Sequence, residues 1–382
     1  MIYLDNAATS WPKPEIVYRA MDSFARSCGA NPGRASFRMA VKAEETVRQT
    51  RASVKNFFGA ARDDHVIFTL NCTDALNIAL KGLLKPGDHV ITSHLEHNSV
   101  SRPLNRLKEL GICYSRVSSS PEGLINPEEI KPLINAQTKL IVLSHASNVL
   151  GTVQPVQEIG RLAREHDLLF LLDVAQTAGE IPITMHEMGI DLMACPGHKG
   201  LFGPPGTGVL VFNGKIEINS LREGGTGSAS EEPYQPKYYP DRLEAGTPNT
   251  HGIAGLKAGI EFIQQEGLLQ IKNYTHKLLS SLLKGLSSIK GVTIYGSQDP
   301  CIRAGLVSFN IIGWEPQEAA AALDSRFAIA CRAGLHCAPW THKAIGTFPD
   351  GAIRFSLSYF NTEEEIASAI SAVVNLAKNP AI

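Results

Sequence analysis

The chain has 382 residues, enough for two domains, and its 43% hydrophobic and 19% charged content is that of an ordinary folded protein. A formal net charge of −1 gives no broad attraction for nucleic acid or an anionic membrane surface, so neither is expected as a partner. Seven cysteines, odd in number and irregularly spaced, imply no disulfide framework, and reduced thiols point to a cytoplasmic setting.

The opening run Met1-Ile2-Tyr3-Leu4-Asp5 lacks the basic and then apolar pattern of a secretory leader and is expected to enter structure at once. The longest apolar stretches, such as Leu168 to Leu172, fall far short of the about 20 residues that a bilayer requires. From about residue 60 to 212, short apolar runs alternate with helical patterns. Strands are expected at His65–Leu70, His89–Ser93, Lys139–Ser144, Leu168–Asp173, Asp191–Ala194 and Gly208–Phe212. Helices are expected over Asp74–Leu84, Arg102–Leu110, Asn126–Asn135 and Val156–His166. That rhythm is the signature of a largely parallel sheet covered on both faces by helices, with ligands gathering beyond the carboxyl ends of the strands. A long loop follows from Glu223 to Pro240, then a helix over Ile253–Glu266. In a second domain, strands are expected at Val292–Tyr295, Leu306–Ile312, Ala328–Arg332 and Ile353–Ser358, with helices near Pro316–Asp324 and Thr362–Ala377.

The chemistry centres on Lys199, in Cys195-Pro196-Gly197-His198-Lys199-Gly200, downstream of Leu172-Asp173-Val174-Ala175-Gln176. A lysine in a tight glycine turn, with an acid at a strand end, suits an aldehyde cofactor with a pyridine ring. The amine links to the aldehyde and the carboxylate keeps the ring nitrogen protonated. Read alone, Asp173 is a turn acid capping the next helix. The strand–turn–helix Thr69-Leu70-Asn71-Cys72-Thr73-Asp74 offers backbone N–H groups and a hydroxyl to a phosphate, against the simpler reading of an N-cap. His97, after the strand ending at Ser93, is placed to stack on a ring and move protons, although read alone it is a loop histidine, and Asn148 has a similar standing after the next strand. Gly203-Pro204-Pro205-Gly206-Thr207-Gly208 lacks the Gly-Lys-Ser/Thr ending of a nucleotide loop and precedes a strand, which excludes that reading. Cys337, in Arg332-Ala333-Gly334-Leu335-His336-Cys337, reads as an accessible thiol. The absence of paired Cys-x-x-Cys spacing argues against zinc at His336, Cys337, Cys331 and Cys195, and no metal is expected. Arg354 suits bidentate binding of a carboxylate, although read alone it is a surface arginine at a strand edge.

Together these residues resemble the cysteine desulfurases of the class V aminotransferase family. The likeness runs from Tyr3-Leu4-Asp5-Asn6-Ala7-Ala8-Thr9 to Tyr359-Phe360-Asn361-Thr362, with Glu244-Ala245-Gly246-Thr247-Pro248-Asn249 between. It implies an α/β fold of type I for pyridoxal 5'-phosphate enzymes: a large cofactor-binding domain over 15–250 with a mostly parallel sheet. A smaller α+β domain from 1–14 and 251–382 would carry the reactive cysteine loop.

By that resemblance Lys199 would carry the cofactor, His97 would stack over it, and Asp173 and Gln176 would meet the ring nitrogen and phenolic oxygen. Cys72, Thr73 and His198 would hold the phosphate, joined by Thr247 from the partner of a homodimer, with Gly197 and Asn148 also binding the cofactor. Asn148, Arg332 and Arg354 would orient L-cysteine, and Cys337 would accept its sulfur as a persulfide while alanine leaves. A protein or small thiol would take the sulfur on, toward iron–sulfur clusters, thiolated RNA or another product. Other class V readings are selenocysteine lyase, cysteine sulfinate desulfinase, or another lyase or aminotransferase; a catalytically idle scaffold is the remote one. Two departures stand out. Pro196 replaces a family serine or threonine, and Cys72 replaces a small or threonine-like residue, leaving mainly its backbone N–H for the phosphate.

Overall fold

A computed structural model describes residues 1–33 and 37–381. In chain order the elements begin with β1 (Ile2–Tyr3), α1 (Glu15–Cys28) and α2 (Arg38–Phe58). The central stretch runs β2 (Val66–Thr69), α3 (Cys72–Leu83), β3 (His89–Ser93), α4 (Asn98–Lys108), β4 (Cys113–Val117), β5 (Thr138–Ser144), α5 (Val156–Glu165), β6 (Leu169–Asp173), β7 (Leu192–Pro196) and β8 (Gly208–Phe212). Then come α6 (Thr250–Glu266), α7 (Leu268–Ser287), β9 (Val292–Tyr295), β10 (Leu306–Ile311), α8 (Pro316–Phe327) and β11 (Ile329–Ala330). The chain closes with β12 (Arg332–Gly334), α9 (Pro339–Ala344), β13 (Ala352–Ser356) and α10 (Glu363–Lys378).

Seven strands form the central sheet in the order β2-β8-β7-β6-β5-β3-β4. All are parallel to their neighbours except β8, which runs antiparallel to β2 and β7. Alternate residues feed opposite cores: Leu140, Val142 and Leu171 pack with Leu76 and Leu104, whereas Ile141, Leu143 and Leu172 pack with Ile159 and Leu256. Burial on both faces is why these strands read as unbroken apolar runs. A second, antiparallel sheet has the order β12-β13-β10-β9, and β1 pairs in parallel with β11. Its core joins Val307, Phe309 and Phe355 to Leu279, Leu323 and Val373 of the surrounding helices.

Two expectations fail locally. The helix expected over 126–135 is two separate 3-10 turns, Pro127–Glu129 and Lys131–Leu133. Pro132 has no N–H to give to an α-helix and disfavours helical backbone at Lys131, so the turn cannot propagate. The single strand expected at 328–332 divides into β11 and β12, which join different sheets. The long segment from Glu223 to Pro240 carries no helix or strand.

Candidate active site

The parallel strands β3, β5, β6 and β7 end at Ser93, Ser144, Asp173 and Pro196, and a cleft opens beyond that edge. Its volume is about 170 Å³. Cys72, Thr73, His97, Asn148, Asp173, Gln176, His198 and Lys199 all line it, although they come from five separate stretches of the chain. Asn71, expected only as an N-cap candidate, lines it too, as do Ser99, Ser144, Ala146 and Ala175, which were not named as site residues.

Asp173 is 5% exposed, and its Oδ1 accepts the Ala175 N–H at 2.9 Å and the Cys72 thiol at 3.5 Å. Burial pushes its carboxyl pKa up, while the Ala175 N–H, the Lys199 charge and the Cys72 thiol pull it down. Cys72 therefore contributes more than a backbone N–H. Burial and the nearby Asp173 charge hold that thiol protonated, which keeps it a donor. Asn71 does cap α3, accepting the Asp74 N–H at 2.9 Å, so the simpler reading of this turn holds as well.

His97 stands at the N-cap of α4, its Nδ1 accepting the Ser99 N–H at 3.0 Å. The ring is held neutral, its pKa lowered to about 4 by burial and then by the Lys199, Arg332 and Arg354 charges. A neutral ring accepting at Nδ1 carries its proton on Nε2. Ser99 Oγ lies 2.8 Å from His97 Nδ1 and 2.7 Å from Thr73 Oγ1, tying the two cleft walls together.

Lys199 sits in the turn after β7, where backbone passes too closely for side chains. A Cβ on Gly197 would lie 2.1 Å from Thr207 Oγ1, and one on Gly200 2.3 Å from the Ala178 carbonyl. Burial, then the Arg354 charge, lowers the Lys199 pKa to about 8 against the opposing effect of Asp173. His198 completes the turn. Its carbonyl accepts the Ser10 N–H at 3.1 Å and Lys13 Nζ at 2.6 Å, while its buried Nδ1 has no partner.

Cys337, Arg332 and Arg354, on the second sheet and its loop, do not line the cleft, but the charges of both arginines reach His97 and Lys199 and add to burial in lowering their pKa values. Cys337 is exposed and follows His336 with both residues at positive φ, 47° and 59°. The loop is pinned where the Asn98 N–H meets the Cys337 carbonyl at 2.7 Å and Asn148 Nδ2 meets the His336 carbonyl at 2.6 Å. Arg332 Nη2 lies 3.8 Å from Cys337 Sγ. Arg354 is no surface residue: β13 lies between β12 and β10, and its side chain is 1% exposed. Nη1 donates to the Asn148 carbonyl at 3.0 Å and Nη2 to Asp5 Oδ1 at 2.9 Å, while Nε has no partner. Thr247 is exposed and lines a different cavity, with Phe68, Leu70, Gly206 and Asn249, so one chain does not bring it to Lys199.

The donor set fits pyridoxal phosphate. A buried carboxylate suits a ring N–H, an amine of lowered pKa suits an aldehyde, and the α3 N-terminus with the unpartnered His198 Nδ1 suits a phosphate.

The family model for class V aminotransferases matches residues 2–368. A probable cysteine desulfurase of Methanothermobacter thermautotrophicus is 36% identical over 371 residues, spanning 96% of this chain and 92% of its own. The apo structure of a cysteine desulfurase from Thermococcus onnurineus matches with a TM-score of 0.93 at 34% identity, covering 99% of this chain and 94% of that one. A cysteine desulfurase of Escherichia coli, in an S-sulfonic acid form, gives a TM-score of 0.88 at 26% identity over 98% of this chain and 94% of its own.

Proposed function

The chain belongs to the class V aminotransferase family, and on that premise we propose that it is a pyridoxal phosphate-dependent cysteine desulfurase using Cys337 as sulfur acceptor. The observation that carries the reading is the exposed Cys337 thiol, held by Asn98 and Asn148 beside the cleft of Lys199, Asp173 and His97.

When bound, the cofactor supplies an electron sink for the pair left at the substrate Cα. Lys199 would hold it and, as a neutral amine, would take the α-proton. Asp173 would keep charge opposite the ring nitrogen, His97 would cover the ring with its proton on Nε2, and Gln176 would meet the phenolic oxygen. Cys72, Thr73 and His198 would hold the phosphate, with Gly197 in the same turn. Arg354, Arg332 and Asn148 fix the substrate carboxylate so that the Cα–H bond is correctly aimed, a positioning effect. The Cys337 thiolate attacks the substrate sulfur, the C–S bond breaks, and a proton returns to carbon. L-cysteine and the thiol become alanine and a Cys337 persulfide, with every atom accounted for.

A homodimer that brings Thr247 to the partner's phosphate completes the proposal. Thr247 borders a separate cavity, and Ile16, Tyr18, Phe37, Met39, Val41 and Leu70 leave large apolar side chains exposed. The proposed domains are 15–250, which contains the seven-stranded sheet, and 1–14 with 251–382, which contains the four-stranded one. The onward acceptor of the Cys337 sulfur would be a protein or small thiol, and the proposed setting is cytoplasmic. No helix among the described residues is long and apolar enough to cross a membrane.

The test is the visible spectrum of the purified protein, followed by alanine and sulfide production from L-cysteine with a reductant. Cys337→Ala should keep the absorbance and lose sulfur release; full activity in that variant would sink the assignment. Rates on selenocysteine and cysteine sulfinate, compared in both proteins, separate the desulfurase from the related lyases.

A further inference from the structure

We infer that Asp5 is a positioning residue for the substrate carboxylate: it clamps one end of the Arg354 guanidinium so that the Nε edge is left for the substrate. The inference rests on the proposed function, in which Arg354 meets an α-carboxylate, and names the residue that makes Arg354 fit for that task.

A guanidinium has five N–H donors in a fixed planar fork. At Arg354 the protein engages Nη1 through the Asn148 carbonyl at 3.0 Å and Nη2 through Asp5 Oδ1 at 2.9 Å. Nε is buried and unpartnered in a side chain only 1% exposed. Folded proteins rarely leave a charged donor buried and unmatched, because it has given up water for nothing. The open Nε–H, together with the second hydrogen on Nη2, makes the side-on fork that a carboxylate accepts in bidentate fashion.

The local charge balance points the same way. Arg332 and Arg354 are direct partners across the antiparallel β12–β13 ladder. Like charges opposite each other in a sheet are destabilising. Asp5 is the one acid paired with either arginine among the described residues, so the strand pair carries surplus positive charge. An anion between the arginines relieves that surplus.

Asp5 cannot drift relative to Arg354. It bridges to Ser356, two residues beyond Arg354 on β13, and the Ser356 N–H donates to the Leu4 carbonyl at 2.8 Å. Asn6 Nδ2 donates to the Ser356 carbonyl at 3.0 Å. The opening segment is thereby stapled along the end of β13, which holds the Asp5 carboxylate against Nη2 of the guanidinium.

The experiment uses holoenzyme in a Cys337→Ala background, where no persulfide forms, and follows the cofactor's visible band during titration with L-cysteine or with cysteamine, which lacks the carboxylate. Asp5→Ala should raise the dissociation constant for L-cysteine about tenfold or more while leaving cysteamine within about twofold. Asp5→Asn, which keeps an oxygen for Nη2, should return L-cysteine to within about threefold of the parent. Asp5→Ser cannot reach Nη2, carries the same expectation as alanine, and serves if the alanine variant does not fold. Unchanged L-cysteine binding in Asp5→Ala and Asp5→Ser, or equal weakening of both amines, overturns the role of Asp5 while leaving the carboxylate reading of Arg354 intact. A parent protein that binds cysteamine as tightly as L-cysteine overturns that carboxylate reading, and the inference with it.

Discussion

Glu96 offers a sharp test of how the cleft is held together. The residue precedes His97 and is 1% exposed. Oε1 accepts the Ser93 hydroxyl at 2.6 Å and Oε2 accepts the Ser144 hydroxyl at 2.8 Å, so one carboxyl ties the end of β3 to the end of β5. Burial raises its pKa from the ordinary 4.5 to about 7, against the two serine hydroxyls and with the Asp173 charge adding to the rise. The folded state thus binds this proton more tightly than the unfolded chain. Its contribution to stability is fully present below the unfolded value and is lost as pH rises through the folded one. The gap corresponds to about 3 kcal/mol, of which about 2 kcal/mol falls between pH ~5 and ~8. Glu96→Gln keeps a neutral, hydrogen-bonding side chain of the same shape and removes the titration. Urea unfolding of both proteins at the two pH values should show the wild type losing about 2 kcal/mol more than the variant. Glu180, whose pKa is likewise raised to about 7 by burial, is common to both proteins and cancels in the comparison. Parallel losses in the two proteins would refute the claim that Glu96 is held protonated by its surroundings.

Lys199 titrates at about 8 because burial opposes its charge. Uptake of pyridoxal phosphate by apoprotein should therefore accelerate as pH rises through that value; a flat rate profile contradicts the desolvated amine. Gly197→Ala places a Cβ 2.1 Å from Thr207 Oγ1 and must displace the turn that carries Lys199. Its cofactor dissociation constant, read by absorbance after dialysis, should rise about tenfold or more, and native retention counts against the steric argument. Cys72→Ala removes the thiol that donates to Asp173 and helps hold that carboxyl ionised. The variant should release cofactor several times faster than Cys72→Ser, which keeps a donor; equal release rates in alanine and serine variants discount the thiol.

Much of the architecture was legible because the strands of the large sheet are buried on both faces. Ile141, Val142 and Leu143 pack into two different cores and leave a continuous apolar signal. The helix α2 left a weaker one. Its buried face runs through Ala40, Ala43, Thr50 and Arg51 before reaching Val54 and Phe58, so large apolar side chains appear only toward its end. The edge strand β4 was missed for a related reason: Cys113 and Arg116 are exposed, and only Val117 is fully buried. Pro132 was visible, but the surrounding Ile130, Leu133 and Ile134 imitated helical spacing strongly enough to outweigh it.

The site divides along a different line. Lys199 could be read locally, because it sits in a short glycine-flanked motif, and Asp173 and His97 gained their meaning from it. Asp5 and Arg354 could not, being 349 residues apart in sequence and 2.9 Å apart in space. Nothing near Arg354 distinguishes a buried strand arginine from a surface one. Its burial follows from β13 being covered by β12 and β10, and its partner from β1 joining β11 so that Asp5 reaches the end of β13. Arg332 presents the same problem, since its apposition to Arg354 depends on the register of an antiparallel pair. The side chains proposed to perform the chemistry are therefore legible through the motif around Lys199, whereas those proposed to set charge and aim around the substrate emerge only from strand order.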